Sequence, residues 1–98
     1  MSKRLSFNGL AVQELREATA FYSKESPALG DAFLDEVARA LSQIRELPNS
    51  CPLVSRTVRK KGLRRFPYNI LYSVRSEEMR ILAIAHQKRR PFYWRGRT

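Results

Sequence analysis

Between His86 and Trp94 the chain reads HQKRRPFYW: its only His, three consecutive cations, a proline and three consecutive aromatic residues. A second basic set, Arg56, Arg59, Lys60, Lys61, Arg64 and Arg65, lies earlier, and Arg95 and Arg97 follow the aromatic run. Cations interleaved with rings suit a polyanion, because cations meet phosphates while bases stack on rings for about 1–3 kcal/mol each. Arg59, Lys60, Lys61, Arg64, Arg65, Lys88, Arg89, Arg90, Phe92, Tyr93, Trp94 and Arg95 are therefore the candidate macromolecule-binding residues. Phe66 and Tyr68 have an ordinary alternative as core residues. FYWR, from Phe92 to Arg95, can lock the chain end onto the helices or dock on a protein, since Trp, Tyr and Arg dominate interface hot spots.

The chemistry open to such a set is metal-free cleavage of RNA. The ribose 2′-hydroxyl attacks the adjacent phosphate, which requires a base, cations around the crowded phosphorane and a proton source for the leaving oxygen. The residues able to divide those roles are Lys60, Arg64, His86, Lys88, Arg89 and Tyr93. His is the usual base near neutrality, although a lone His at a strand end also serves as a hydrogen-bonded structural residue. There is no Gly-rich phosphate loop, no suggestive Ser/His/Asp trio and no cluster of carboxylates. With Cys51 and His86 each alone, no metal site and no cofactor is expected.

The charge distribution supports the binding reading. Residues 1–54 carry 6 Lys/Arg against 7 Asp/Glu, whereas residues 55–98 carry 13 against 2, so a near-neutral half adjoins one of net +11. Such a field attracts phosphate polymers or an acidic protein. The 98 residues suit one domain, 1–98, and 43% apolar residues suffice for one modest core. The opening MSKRLSFNGL is basic, but its apolar stretch is too short for a signal sequence, and no run approaches the roughly 18–20 apolar residues of a bilayer span. A cytoplasmic protein with no membrane partner is expected.

The elements that must position these residues follow from periodicity. Lys3 to Phe7 predicts a short strand, and Asn8 a helix cap. Ala11, Leu15, Ala18 and Tyr22 recur at helical spacing, with Glu14, Arg16 and Glu17 expected off that stripe. Ser26–Pro27 signals a second helix start, carrying the stripe Phe33, Val37, Ala40, Leu41, Ile44 and Leu47 until Pro48. Gly30 weakens its first turn by roughly 1 kcal/mol relative to Ala. From Arg56 the period changes to two. A strand around 57–61 turns at Gly62, and Phe66, Tyr68, Ile70, Tyr72 and Val74 alternate with more polar residues. Pro67 marks a bulge or break, 76–78 a turn, and Met79 to Ala85, apolar on both faces apart from Arg80, a central strand. The prediction is an α+β domain, β-α-α-β-β-β: an N-terminal strand, an antiparallel helical hairpin, then a three-strand antiparallel meander with the helices on one face.

These residues resemble a known family. Two helices followed by GLRRFPYNILYSVRSEEMRILAIAHQKRRPFYW are similar to the RelE/ParE superfamily of toxins from bacterial type II toxin–antitoxin pairs. The likeness is carried by Phe66–Pro67–Tyr68 with Leu71–Tyr72, then the apolar strand running into His86 and the basic, aromatic segment. It implies a growth-inhibiting toxin neutralised by a cognate acidic antitoxin. RelE-like members are ribosome-dependent mRNA endonucleases, whereas ParE-like members inhibit DNA gyrase without nuclease chemistry. The nuclease branch has an Arg directly after the first Tyr of its strand, where this chain has Asn69. Lys60, Arg64, Tyr93 and Lys88 or Arg89 fall near that branch's functional positions. His86 followed by a basic stretch and Pro91 resembles the ParE side, which the resemblance favours. The partner implied is gyrase, or alternatively the ribosome with mRNA. A non-toxic nucleic-acid-binding module is the further alternative.

Overall fold

A computed structural model of the chain describes residues 3–98. Its elements are β1 (Arg4–Phe7), α1 (Gly9–Glu25), α2 (Pro27–Glu46), β2 (Val58–Gly62), β3 (Tyr68–Val74) and β4 (Glu78–His86). The β-α-α-β-β-β order matches the expectation. The helix boundaries are set by local chemistry. The Asn8 side chain accepts from the Leu10 N–H at the start of α1. Ser26 does double duty: its backbone N–H closes α1 on the Tyr22 carbonyl, and its hydroxyl caps α2 at the Leu29 N–H. Pro27 then occupies the first turn of α2, where a missing N–H costs nothing.

The connection between the helices is tight, which gives Gly30 its purpose. A Cβ there would stand 2.0 Å from Ser23 Oγ and 3.2 Å from the Ser23 Cα. The loss in helix propensity is offset by the close approach of the two helices, the reason a sequence pattern alone misses.

The sheet order is β1-β4-β3-β2. β2, β3 and β4 form the antiparallel meander, while β1 pairs with β4 in parallel, Arg4 opposite Glu78 through Phe7 opposite Ile81. β4 is therefore central, as its two apolar faces predict. β3 starts at Tyr68 rather than Phe66, because Pro67 interrupts the chain there; its carbonyl still accepts from the Gln87 N–H. A register shift between Leu71 and Tyr72 places Leu82 and Ala83 on the same side of β4.

The two sheet faces are covered differently. Both helices pack on one, burying Phe33, Val37, Ile44, Phe66, Ile70, Tyr72, Met79, Ile81 and Ile84. Tyr22, Phe33, Phe66 and Tyr68 meet there as a ring cluster with centroids 4.8–6.3 Å apart. Leu47, expected on the α2 stripe, is 66% exposed because the helix has already ended at Glu46. On the other face Val58, Leu71, Leu82, Ala83 and Ala85 are covered by Trp94. Among the described residues, no helix is long and apolar enough to cross a membrane.

Candidate functional site

The geometry of the C-terminal segment begins with a mismatch of strand lengths. β1 has four residues and β4 has nine. Their pairing ends at Ile81, leaving the edge of β4 beyond it without a strand. Backbone groups left bare there are costly unless paired. Two side chains supply the missing partners. Glu14 of α1 accepts from the Ile84 N–H at 3.0 Å, and Arg97 donates to the Leu82 carbonyl at 3.1 Å.

Those two side chains also bind each other. Arg97 donates to both carboxylate oxygens of Glu14, at 2.9 and 3.1 Å, and the Tyr93 hydroxyl adds a third bond at 2.7 Å. The Glu14 and Arg97 side chains are only 14% and 12% exposed. Glu14 is thus a staple joining α1, β4 and the tail, not the solvated charge its sequence context suggests. The forked geometry makes this a strong charge-assisted pair. Burial, and then the Glu14 carboxylate to which it donates, push the Tyr93 phenol well above its ordinary value.

With the tail fixed, the cations divide between two clefts. Lys60, Asn69, His86, Arg89, Arg90, Phe92, Tyr93 and Trp94 line one, of about 230 Å³. Arg89 lies over the Tyr93 ring, 3.8 Å from its centroid, and Arg95 over Phe92 at 5.1 Å. Phe92 is 42% exposed and adopts φ +61, the left-handed region that bulky residues avoid. Lys88 and Arg95 stand exposed outside this lining. Lys61, Arg64 and Arg65 line a different cleft, of about 360 Å³, with Glu36, Arg39, Ala40 and Gln43 of α2. Alternation along β2 explains the division: Lys60 and Lys61 are adjacent and point to opposite faces.

Three expected binding residues have structural employment. Arg59 donates to the carbonyls of Asn49 and Cys51, tying down the segment after α2. Trp94 is 8% exposed, its indole serving as the core of the tail-covered face rather than as an open stacking platform. Tyr93 spends its hydroxyl on Glu14. Of the residues proposed for RNA cleavage, Lys60, His86, Arg89 and Tyr93 share one cleft, Arg64 lies in the other, and Lys88 lines neither. His86 sits edge-on to Tyr68, and its Nδ1 accepts from the Lys88 N–H at 3.0 Å. That bond leaves Nε2 as the proton-bearing nitrogen of the neutral ring.

Glu36 was not anticipated as a site residue. Its carboxylate is buried and accepts from the backbone N–H groups of Arg64 and Arg65, which fixes the turn between β2 and β3. Its position three residues after Phe33 and four before Ala40, along the buried edge of α2, is the signal that could have found it. No three His, Cys, Asp or Glu side chains converge among the described residues.

A solved structure described as "Chromosomal ParDE TA system from P. aeruginosa" is similar, with a TM-score of 0.75, 19% identity, and coverage of 87% of this chain and 96% of that one. At that identity the likeness shows a shared fold. The comparison with curated proteins found no match. Residues 5–91 match the family described as ParE toxin of type II toxin–antitoxin system, parDE. The match spans both helices, the sheet from Leu5 onward and the basic residues up to Arg90, so the chain belongs to the ParE family of type II toxins.

Proposed function

We propose that this toxin inhibits growth by binding DNA gyrase through its C-terminal cationic face, and that a cognate acidic antitoxin neutralises it. The observation that carries the reading is a rigidly held tail presenting free cations. Lys88, Arg89, Arg90 and Arg95 are exposed, and none is in an ion pair among the described residues. Trp94 and the Glu14–Arg97 pair hold the segment that carries them. A pre-ordered surface loses less entropy on docking, which suits inhibition by contact. The net +11 of residues 55–98 also favours an acidic neutralising partner, since opposite fields accelerate encounter.

The second reading is a metal-free mRNA endonuclease. What favours it is the convergence of Lys60, His86 and Arg89 in one cleft. Against it stand Asn69 where the nuclease branch has a cation, and the Tyr93 proton, held by a carboxylate and made harder to release by burial. One experiment separates the two. The protein is induced without an antitoxin, growth is followed, gyrase supercoiling is assayed with purified protein, and transcript ends are mapped. The gyrase reading expects inhibited supercoiling with intact transcripts, and a loss of at least about tenfold in potency for the pair Arg89→Glu and Arg90→Glu. Transcript cleavage that disappears in Lys60→Ala, with supercoiling untouched, would establish the nuclease reading instead.

A further inference from the structure

The strand ladder brings the two basic runs of the sequence to one end of the sheet. Asn69 lies opposite both Gly62 and Ala85, Tyr68 lies opposite His86, and the Gln87 N–H donates to the Pro67 carbonyl. The turn with Arg64 and Arg65 and the turn with Lys88, Arg89 and Arg90 therefore leave the sheet side by side. These five are exposed, Lys61 beside them is half-buried, and none of the six is in an ion pair among the described residues. The acids lining the adjoining clefts are Glu36, Glu14 and Glu17. Glu36 is taken by two backbone N–H groups, Glu14 by Arg97 and Tyr93, and Glu17 by the Gln13 amide. The far end of the sheet is different, since Arg4 and Arg75 both meet Glu78 there.

The rings near this end are already covered. Phe66 is buried, with the Arg65 guanidinium 5.6 Å from its centroid. Arg89 lies over Tyr93, and Arg95 over Phe92. A single-stranded nucleic acid binds by stacking its bases on open rings, whereas these rings steady guanidinium groups instead. Residues 60–67 and 86–90 also leave no large apolar side chain exposed, so they lack the anchor pockets on which a protein partner gains affinity. What this end offers is ordered charge.

We propose that this end of the sheet binds the phosphate backbone of duplex DNA. A duplex keeps its bases stacked inside and presents one charge per roughly 1.7 Å of its axis, so it asks for cations and not for rings. β2 and β4 stand two strand spacings apart, about 10 Å, and turns at that separation reach several phosphates at once. Contacts to phosphate alone position the protein without reading sequence. Lys88, Arg89 and Arg90 also belong to the surface assigned to gyrase. On that reading, the toxin meets its target beside the DNA that gyrase holds. The DNA contact itself is measured without gyrase and stands or falls by itself.

The test uses the full chain and a fluorescently labelled duplex of about 16 base pairs and mixed sequence, read by anisotropy over a range of salt concentrations. Saturable binding is expected, with a log–log salt slope that reports the phosphates engaged at about −0.9 each. The pair Arg64→Gln and Lys88→Gln removes one cation from each turn. It should weaken binding at least about tenfold at low salt and make the slope shallower by about 1.8. The pair Arg16→Gln and Lys24→Gln removes the same charge from α1, and should cost less than about threefold with the slope unchanged. All four side chains are exposed, so the fold is kept, and circular dichroism checks it. A thymidine single strand and a polyglutamate peptide of the same length are the competitors and need no variant. Each should displace the labelled duplex at least about tenfold less well than unlabelled duplex does. Absence of saturable binding overturns the proposal, and so do equal losses in the two pairs, which would leave net charge alone. A single strand that competes as well as the duplex would point to base stacking, and polyglutamate that does so to an acidic protein; either result overturns it too.

Discussion

The two faces of the sheet are closed by different means. On one, two helices bring Phe33, Val37, Ile44 and the ring cluster around Tyr22 and Phe66 against β3 and β4. On the other, a short tail supplies one indole, a forked ion pair and a few turns, such as Tyr93 N–H to the Arg90 carbonyl. Apolar burial on the first face is spread over many side chains, each worth about 1.5–3 kcal/mol. Order on the second rests on Glu14, Arg97 and Trp94. The difference teaches that the helix face decides whether the protein folds. The tail face decides what shape its cations take, and it can be altered without dissolving the domain.

The largest effect expected is on the helix face. Phe33 is fully buried and touches the rings of Tyr22, Phe66 and Tyr68. Phe33→Ala should cost about 4 kcal/mol. In a domain this size that lowers the thermal midpoint by roughly 20 °C. Circular dichroism and a calorimetric scan would show a single cooperative transition moving as a whole. Separate transitions for the two faces would break the comparison at its root.

Next comes Glu14→Ala. It strips the partly buried Arg97 of its partner and leaves the Ile84 N–H bare, at a cost of about 3 kcal/mol if the tail stayed in place. The tail can instead detach, moving Arg97 into water. The expected result is a smaller loss of global stability with fast tryptic cleavage at Lys88–Arg95 and fast exchange at the Ile84 amide. Glu14→Gln keeps an acceptor but loses the fork, and should fall between. A uniform loss of stability with the tail still protected would mean that the tail is part of the core.

Most of the fold was legible because its signals are local. Asn8, Ser26–Pro27 and Pro48 mark helix ends within a few residues of the groups they cap, and the change of period at residue 56 marks the meander. The parallel docking of β1 on β4 was not legible, because it depends on where the helical hairpin returns the chain. The site was legible as a composition and misread as a geometry. Glu14 bonds residues 79 and 83 positions away, so nothing adjacent announces its role. Yet it falls three residues after Ala11 and four before Ala18, on the buried stripe rather than off it, and a carboxylate there calls for partners. Lys60 and Lys61 look like one basic patch until strand alternation is applied. Trp94 looks exposed until the second face of an apolar central strand is asked what covers it.

Alkaline pH compares the faces through their phenols. Burial raises Tyr22, Tyr68 and Tyr72 on the helix side and Tyr93 on the tail, all in the same direction. In each case the folded chain retains a proton that the unfolded chain releases once pH passes the ordinary tyrosine value of about 10. Stability is therefore fully present below that pH and is lost as pH rises above it. Phenolate absorbance should lag behind that of free tyrosine. In Glu14→Ala, one of the four phenols should titrate early, as the released Tyr93, while the three on the helix side stay late. Four late phenols in that variant would contradict detachment of the tail.

The smallest effect expected is at Phe92, and it has opposite signs on stability and function. A bulky residue at φ +61 costs about 1 kcal/mol in backbone strain. Its ring meets Trp94 at 5.6 Å and Arg95 at 5.1 Å but remains 42% exposed, so little burial offsets that strain. Glycine removes both the strain and the ring, whereas alanine removes only the ring. Phe92→Gly should therefore be more stable than Phe92→Ala by about 1 kcal/mol in urea unfolding. If the ring is kept for docking, the two variants should lose growth inhibition to the same degree despite their different stabilities. Should activity instead follow stability, with Phe92→Gly the more toxic of the two, the ring would be serving to hold the tail, and the docking surface would reduce to its cations.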